Sequence, residues 1–241
     1  MKMVERAIDK LANQMRIYAE ASGNFDALNK VDLHEAIGNL DSSFEAKLEA
    51  FHSLYDVDKS GFDYFANADT AVILLLRNAI HHRDHDLFSS WNVTMAQEGG
   101  PSRFLGAKFL ITSHHVAGGG HVSNQLYKAE DFLLRVDSDL NSSALESKMS
   151  AKNRVKTLEQ LRTDLKFNEM FARASAERYP TGQIYLNIIP IFISAICRTF
   201  KSLKARGEKF TGFDARTYEM HFTHELKVDL SVLSYKTIRI R

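Results

Sequence analysis

Apolar residues recur at helical spacing over most of the chain. Between positions 4 and 21, Ile8, Leu11, Met15 and Tyr18 follow one another every three or four residues. The same spacing continues over 28–40 and 44–55, and only three prolines interrupt the 241 residues. The pattern predicts a mainly helical protein.

One stretch, 66–83, has no polar face along its central part. It contains the uninterrupted apolar run 71–76 and no internal Gly or Pro. A helix that is apolar on all sides is expected to be buried. Further helices are predicted over about 144–179, ended by Pro180, and over 182–205, with a kink at Pro190.

Two segments depart from the helical pattern. The segment 99–126 is rich in Gly and His and includes a short apolar run, which predicts a small β-hairpin or a glycine-rich loop. The tail from 223 to 241 alternates apolar and polar residues, which predicts short C-terminal strands. We expect a single domain over 1–241, with a core over 1–95, an insertion over 99–126 and a C-terminal helical extension over 127–241.

Cysteine content and hydropathy limit the cellular context. Cys197 is the only cysteine, so an internal disulfide is excluded, as is usual in a reducing compartment. No continuous apolar leader begins the chain, and the most hydrophobic stretch, 184–197, is shorter than the roughly 20 residues that a bilayer requires. We expect a soluble, cytoplasmic protein that has no membrane partner.

Charge is distributed unevenly, although the formal net charge is only +1. Residues 1–70 hold 7 Lys and Arg against 13 Asp and Glu, whereas residues 151–241 hold 17 against 9. Either the basic end binds a polyanion or the acidic end packs on the basic end. The candidate contacts to an RNA backbone, which are equally compatible with a solvated helix face, are Lys152, Arg154, Lys156, Arg198, Lys201 and Lys204.

Polar residues replace the apolar run at the end of the buried helix. The sequence there is Arg77-Asn78-Ala79-Ile80-His81-His82. Asn78, His82 and His85 continue the stripe of residues 71, 74 and 75, so this face is expected to line a cleft. Arg77 lies about 140° around the helix from His82, and its long side chain is expected to reach the same edge.

The pattern Arg77-Asn78-x-x-x-His82 at the end of a hydrophobic helix resembles the signature motif of the HEPN family. The resemblance covers about residues 1–95. It implies a mainly α fold, a HEPN-like helical bundle, and assembly as a homodimer. It also implies a metal-independent endoribonuclease without cofactors, of the kind found in toxin–antitoxin pairs and in anti-phage defence, with RNA and a cognate antitoxin or defence protein as partners.

The residue types suit cleavage of RNA by its own 2′-OH. Histidine titrates near neutrality, so His82 is the candidate for proton transfer. Arg77 is the candidate for stabilising the phosphoryl oxygens, and Asn78 for orienting His82 or binding the phosphate. His81 and His85 are candidate auxiliary residues.

Two other functions are compatible with the same sequence. One is a non-catalytic module that binds RNA, a nucleotide or a protein. The other is a metal-dependent hydrolase, because His81 and His85 are four residues apart, as zinc ligands on a helix are, and His114, His115 and His121 follow. No glutamate follows His81 to act as the general base of a metalloprotease.

Overall fold

The computed structural model describes residues 2–82, 85–97, 99–119 and 123–241. Helices predominate in these ranges: α1 (Met3–Asn29), α2 (Leu33–Asp58), α3 (Ala68–His82), α4 (Trp91–Ala96), α5 (Ala129–Val136), α6 (Ala151–Thr163), α7 (Phe167–Ala176), α8 (Ile188–Ala205) and α9 (Phe213–Met220). The strands are β1 (Lys108–Ala117), β2 (Leu126–Lys128), β3 (Ile184–Asn187) and β4 (Lys227–Arg239).

The four strands form one mixed sheet, so the prediction of a helical bundle is wrong. Their order is β2-β3-β1-β4, in which β1 is parallel to β3 and antiparallel to β4. The predicted hairpin within 99–126 is also wrong, because β1 pairs with the distant C-terminal strand rather than with a neighbour. The alternating tail forms one long strand, and the fold is a mixed α/β arrangement.

The first half of β1 and all of β3 are buried on both faces of the sheet, which explains the apolar run in β1. Leu110 and Leu186 join the large core that the helices share. Phe109, Ile111 and Tyr185 face a smaller cluster that includes α4. Because successive side chains of a strand point to opposite faces, a strand covered on both sides needs apolar residues at nearly every position.

The predicted helices of the C-terminal part are divided differently in the structure. A break at Lys166, whose φ of 61° is left-handed, separates α6 from α7. The segment before α8 is the buried strand β3, and Asn187 caps α8 by accepting a hydrogen bond from the Ile189 amide. Pro190 therefore lies in the first turn of α8, where its missing N–H costs no helical hydrogen bond, and the predicted interior kink has no basis.

None of the helices in the described ranges is both long enough and apolar enough to cross a membrane.

The helix α3 is enclosed by α2, α6 and α8. A buried carboxylate, Asp69, fixes it to α8. The carboxylate accepts hydrogen bonds from Ser194 Oγ at 2.7 Å and from Arg198 Nε at 3.1 Å. This contact joins residues more than 120 positions apart and sets the orientation of the helix that carries the motif.

Lys47 is an unusual member of the core, because its side chain is only 3% exposed. Its Nζ lies 3.5 Å from the ring centroid of Tyr18, 4.3 Å from that of Phe192 and 4.6 Å from that of Phe44. No acceptor or carboxylate in the described part of the chain pairs with this nitrogen. Burial lowers the pKa of Lys47 well below its usual value, so the neutral amine is the favoured form.

Replacing Lys47 with Met should stabilise the protein. In the unfolded chain a lysine has a pKa of about 10.4. Between that value and the lowered pKa of the folded state, the unfolded chain binds one proton more, so the free energy of unfolding falls as the pH falls. Lys47→Met removes this cost, and we expect a gain on the order of 1–3 kcal/mol near neutral pH that shrinks above about pH 10.

Urea denaturation followed by circular dichroism, at neutral pH and at about pH 10.5, measures this gain. Lys30→Met, at the exposed end of α1, is the control and should change stability little at either pH. An equal gain for Lys47→Met at both pH values would contradict the interpretation.

Candidate functional site

The motif lies where α3 emerges from the core. Arg77 is half-buried, and its guanidinium is directed towards α2. Nη2 donates a hydrogen bond to Glu49 Oε2 at 2.7 Å, and Nη1 donates to Asn78 Oδ1 at 3.2 Å. The guanidinium is therefore held in one orientation by two acceptors.

The Glu49 carboxylate also binds His81, whose Nδ1 lies 3.0 Å from Oε1. Burial opposes the ionisation of Glu49, but the hydrogen bond from Arg77 and the nearby positive charges outweigh it and lower the pKa of this carboxyl. Arg77, Glu49 and His81 line a groove of about 430 Å³ between α2 and α3, which we call the motif groove. A carboxylate between a cation and an imidazole orients both.

His82 lies on a different side of the helix. Its Nε2 is 3.0 Å from Nζ of Lys148, in the segment before α6. Arg77 and His82 share no hydrogen-bond partner among the described residues, because five residues separate them by about 140° around the helix. Within a single chain the two side chains therefore have different partners on different sides of α3, whereas we expected from the sequence that both would reach one edge of a cleft.

His85 follows the end of α3 and lines a larger cleft of about 1070 Å³. Its Nδ1 accepts a hydrogen bond from the Leu87 amide at 3.1 Å. Burial raises the pKa of Asp131 in this cleft to about 6, although the Phe88 amide donates to its carboxylate. The ionisable residues that line the cleft are mostly acidic, which disfavours a polyanion: Asp41, Glu45, Asp86 and Asp131, against Lys128 and Arg103.

Three of the six candidate RNA contacts are exposed lysines. Lys152 and Lys156 lie four residues apart on α6, and Lys201 lies on α8. Lys148, which lies beside His82, precedes Lys152 by four residues. We call His82, Lys148, Lys152 and Lys156 the basic strip.

The other three candidates are engaged in the fold. Arg154 donates to the backbone carbonyls of Met149 and Glu146, Arg198 binds Asp69, and Lys204 lies 2.8 Å from the Glu219 carboxylate. Their positive charge is already matched by protein groups. Some basic residues of the C-terminal third thus bind groups within the fold, and others lie on the exposed surface.

The histidines considered as metal ligands are dispersed. His81 binds Glu49, whereas His114 is buried in β1, where desolvation lowers its pKa to about 4. His115 lies opposite Asp229 in the register of β1 and β4, and His121 lies outside the described residues. In the described ranges, no group of three or more His, Cys, Asp or Glu side chains is arranged to hold a metal ion.

Two residues of this region were missed by the sequence analysis. Glu49 occupies an ordinary polar position of α2, and Lys148 lies in an irregular segment. Neither has a sequence signal, because each acquires its partner only when distant segments pack.

Comparison with protein-family models, with curated proteins and with solved structures gives no match.

Because Arg198 pairs with the buried Asp69, we expect that replacing Arg198 lowers the stability of the fold and does not merely change the surface charge. Arg198→Ala leaves a fully buried carboxylate without its cation, so the free energy of unfolding should fall by about 1–3 kcal/mol. Lys201→Ala, one turn further along α8, removes an exposed charge and should change it by less than about 0.5 kcal/mol. Urea denaturation measures both, and equal effects would contradict the assignment.

Proposed function

We propose that this protein is a metal-independent endoribonuclease of the kind that the HEPN resemblance implies. His82 transfers the proton, Arg77 stabilises the phosphoryl oxygens, and Asn78 assists. The nucleophile is the neighbouring 2′-OH of the RNA. The same proposal includes a cytoplasmic toxin or anti-phage role, with an antitoxin or defence protein as a further partner.

The observation that carries the proposal is the arrangement at the end of α3. Arg77 is held in a groove by an ionised carboxylate, and the imidazole of His82 is exposed beside Lys148. An oriented guanidinium matches phosphate oxygens, and an exposed imidazole is able to exchange protons. The basic strip offers a path for the RNA backbone that the acidic cleft around Asp131 does not.

The divergence of Arg77 and His82 supports action as a homodimer. A second copy that places its own α3 end against the first brings His82 of one protomer towards Arg77 of the other. A twofold axis creates two such pairs at once. The proposed dimer thus brings together the Arg77 and His82 side chains, which lie apart within a single chain.

His82→Ala and Arg77→Ala should each lower RNA cleavage by about 10²–10⁴-fold, since a positioned acid or base contributes that much to the rate. His82 is exposed, so its loss should leave the fold intact. A labelled single-stranded RNA in excess EDTA measures the rate, and the products should carry a 2′,3′-cyclic phosphate.

The matched control is His34→Ala, an exposed histidine near the start of α2. It should retain the parental rate. If folded His82→Ala cleaves RNA as fast as the parent, the role of His82 is wrong. If the parent protein cleaves no RNA while still binding it, the non-catalytic binding module becomes the better proposal.

Mixing the two inactive variants tests the dimer. If Arg77 and His82 act across the interface, half of the dimers contain one of each chain, and one of their two sites is intact. Mixed Arg77→Ala and His82→Ala chains, denatured and refolded together, should recover about a quarter of the parental rate. No recovery, from a mixture that light scattering shows to be dimeric, would assign both residues to one protomer's site.

A further inference from the structure

A separate cavity of about 500 Å³ lies on another face of α2. Lys47 lines this cavity, and it precedes Glu49 by two residues, which is about 200° around the helix. The two sites therefore share a helix but not a surface. The cavity walls are largely apolar and come from α1, α8 and the segment after α9, including Met15, Tyr18, Ile189, Phe192 and Phe222.

The single amine in this cavity has no partner among the described residues. Three aromatic rings surround Lys47 Nζ at the distances given above, and no carboxylate or carbonyl binds it. Lysine is seldom buried without a partner, because its charged form loses the stabilisation of water. A buried, uncharged lysine amine retains its lone pair and is a nucleophile.

Two further ionisable groups at the cavity indicate which ligands fit. His221 and Glu225, which also line the cavity, bind each other. The carboxylate of Glu225 disfavours an anionic ligand, and the largely apolar walls favour an uncharged one. A cavity of this size and lining suits an uncharged small molecule.

We propose that this cavity binds an apolar aldehyde or ketone, whose carbonyl carbon Lys47 captures as an imine. The Nζ lone pair attacks the carbonyl carbon to form a carbinolamine. One amine hydrogen passes to the carbonyl oxygen in that step, and loss of the resulting hydroxyl with the remaining amine hydrogen, as one water molecule, leaves the C=N bond. No oxidant or reductant takes part, and hydrolysis reverses the capture. The proposal is independent of RNA cleavage.

Reductive trapping tests the proposal with two aldehydes. The full-length protein is incubated with 3-phenylpropanal and sodium cyanoborohydride at about pH 6.5, and labelled lysines are quantified by peptide mass spectrometry. At that pH exposed lysines are almost wholly protonated, so Lys47 should be labelled at least about tenfold faster than the exposed Lys30. Glyoxylate, a charged aldehyde, should show no such preference for Lys47.

Filling the cavity gives a second test that keeps the lysine. Ser22 lines the cavity, whereas its neighbour Ala21 does not, and both are half-buried on α1. Ser22→Trp should slow the labelling of Lys47 by 3-phenylpropanal at least about fivefold, because the indole occupies the space of the ligand. Ala21→Trp, the matched control, should label like the parent.

Three results would overturn the proposal. The first is labelling of Lys47 no faster than that of Lys30. The second is an equal preference of Lys47 for glyoxylate, which would indicate a reactive amine without a selective cavity. The third is unchanged labelling in a Ser22→Trp protein that circular dichroism shows to be folded. The comparison of the two aldehydes uses only the parent protein and stands if the variant fails to fold.

Discussion

Burial of α3 on nearly every side is the constraint that organises this protein. Its central residues, from Val72 to Leu76, have almost no exposed surface. Such a helix needs apolar neighbours all around it, and the chain provides them from α2, α6 and α8. Asp69 fixes the rotation of α3 against α8, so only its C-terminal turn reaches solvent. The position and orientation of Arg77, His81 and His82 follow from that packing.

The sequence predicted this buried helix but not the sheet beside it. The run 71–76 is apolar at consecutive positions, a local signal that periodicity detects. The pairing of β1 with β4 joins residues more than 100 positions apart, and no local pattern encodes it. A strand buried on both faces resembles a short helix or a hairpin strand in sequence. The break at Lys166 was missed for a related reason, since neither Gly nor Pro marks it.

The candidate site shows the same difference between local signals in the sequence and contacts between distant segments. Arg77, Asn78 and His82 were singled out because they lie close together in the sequence of one helix and form a recognisable spacing. Glu49 and Lys148 were not, because their roles depend on side chains that approach from other segments. Among the basic residues, Arg198 and Lys204 are exposed, but each also binds an acidic residue, which the sequence did not indicate. A count of charged residues gives the charge of a segment, whereas only the packed structure shows which groups neutralise that charge.

The two faces of α2 show how strongly the surroundings decide the state of an ionisable group. Glu49 and Lys47 are two residues apart on one helix. Glu49 meets a guanidinium and an imidazole at a partly open groove, so its charged form is favoured despite partial burial. Lys47 meets three aromatic rings and no counter-charge, so its charged form is disfavoured. Removing the ionisable group is therefore expected to have opposite consequences at the two positions. Loss of the Glu49 carboxylate would free Arg77 and His81, whereas loss of the Lys47 amine would remove a stability cost and, with it, the amine that lines this cavity.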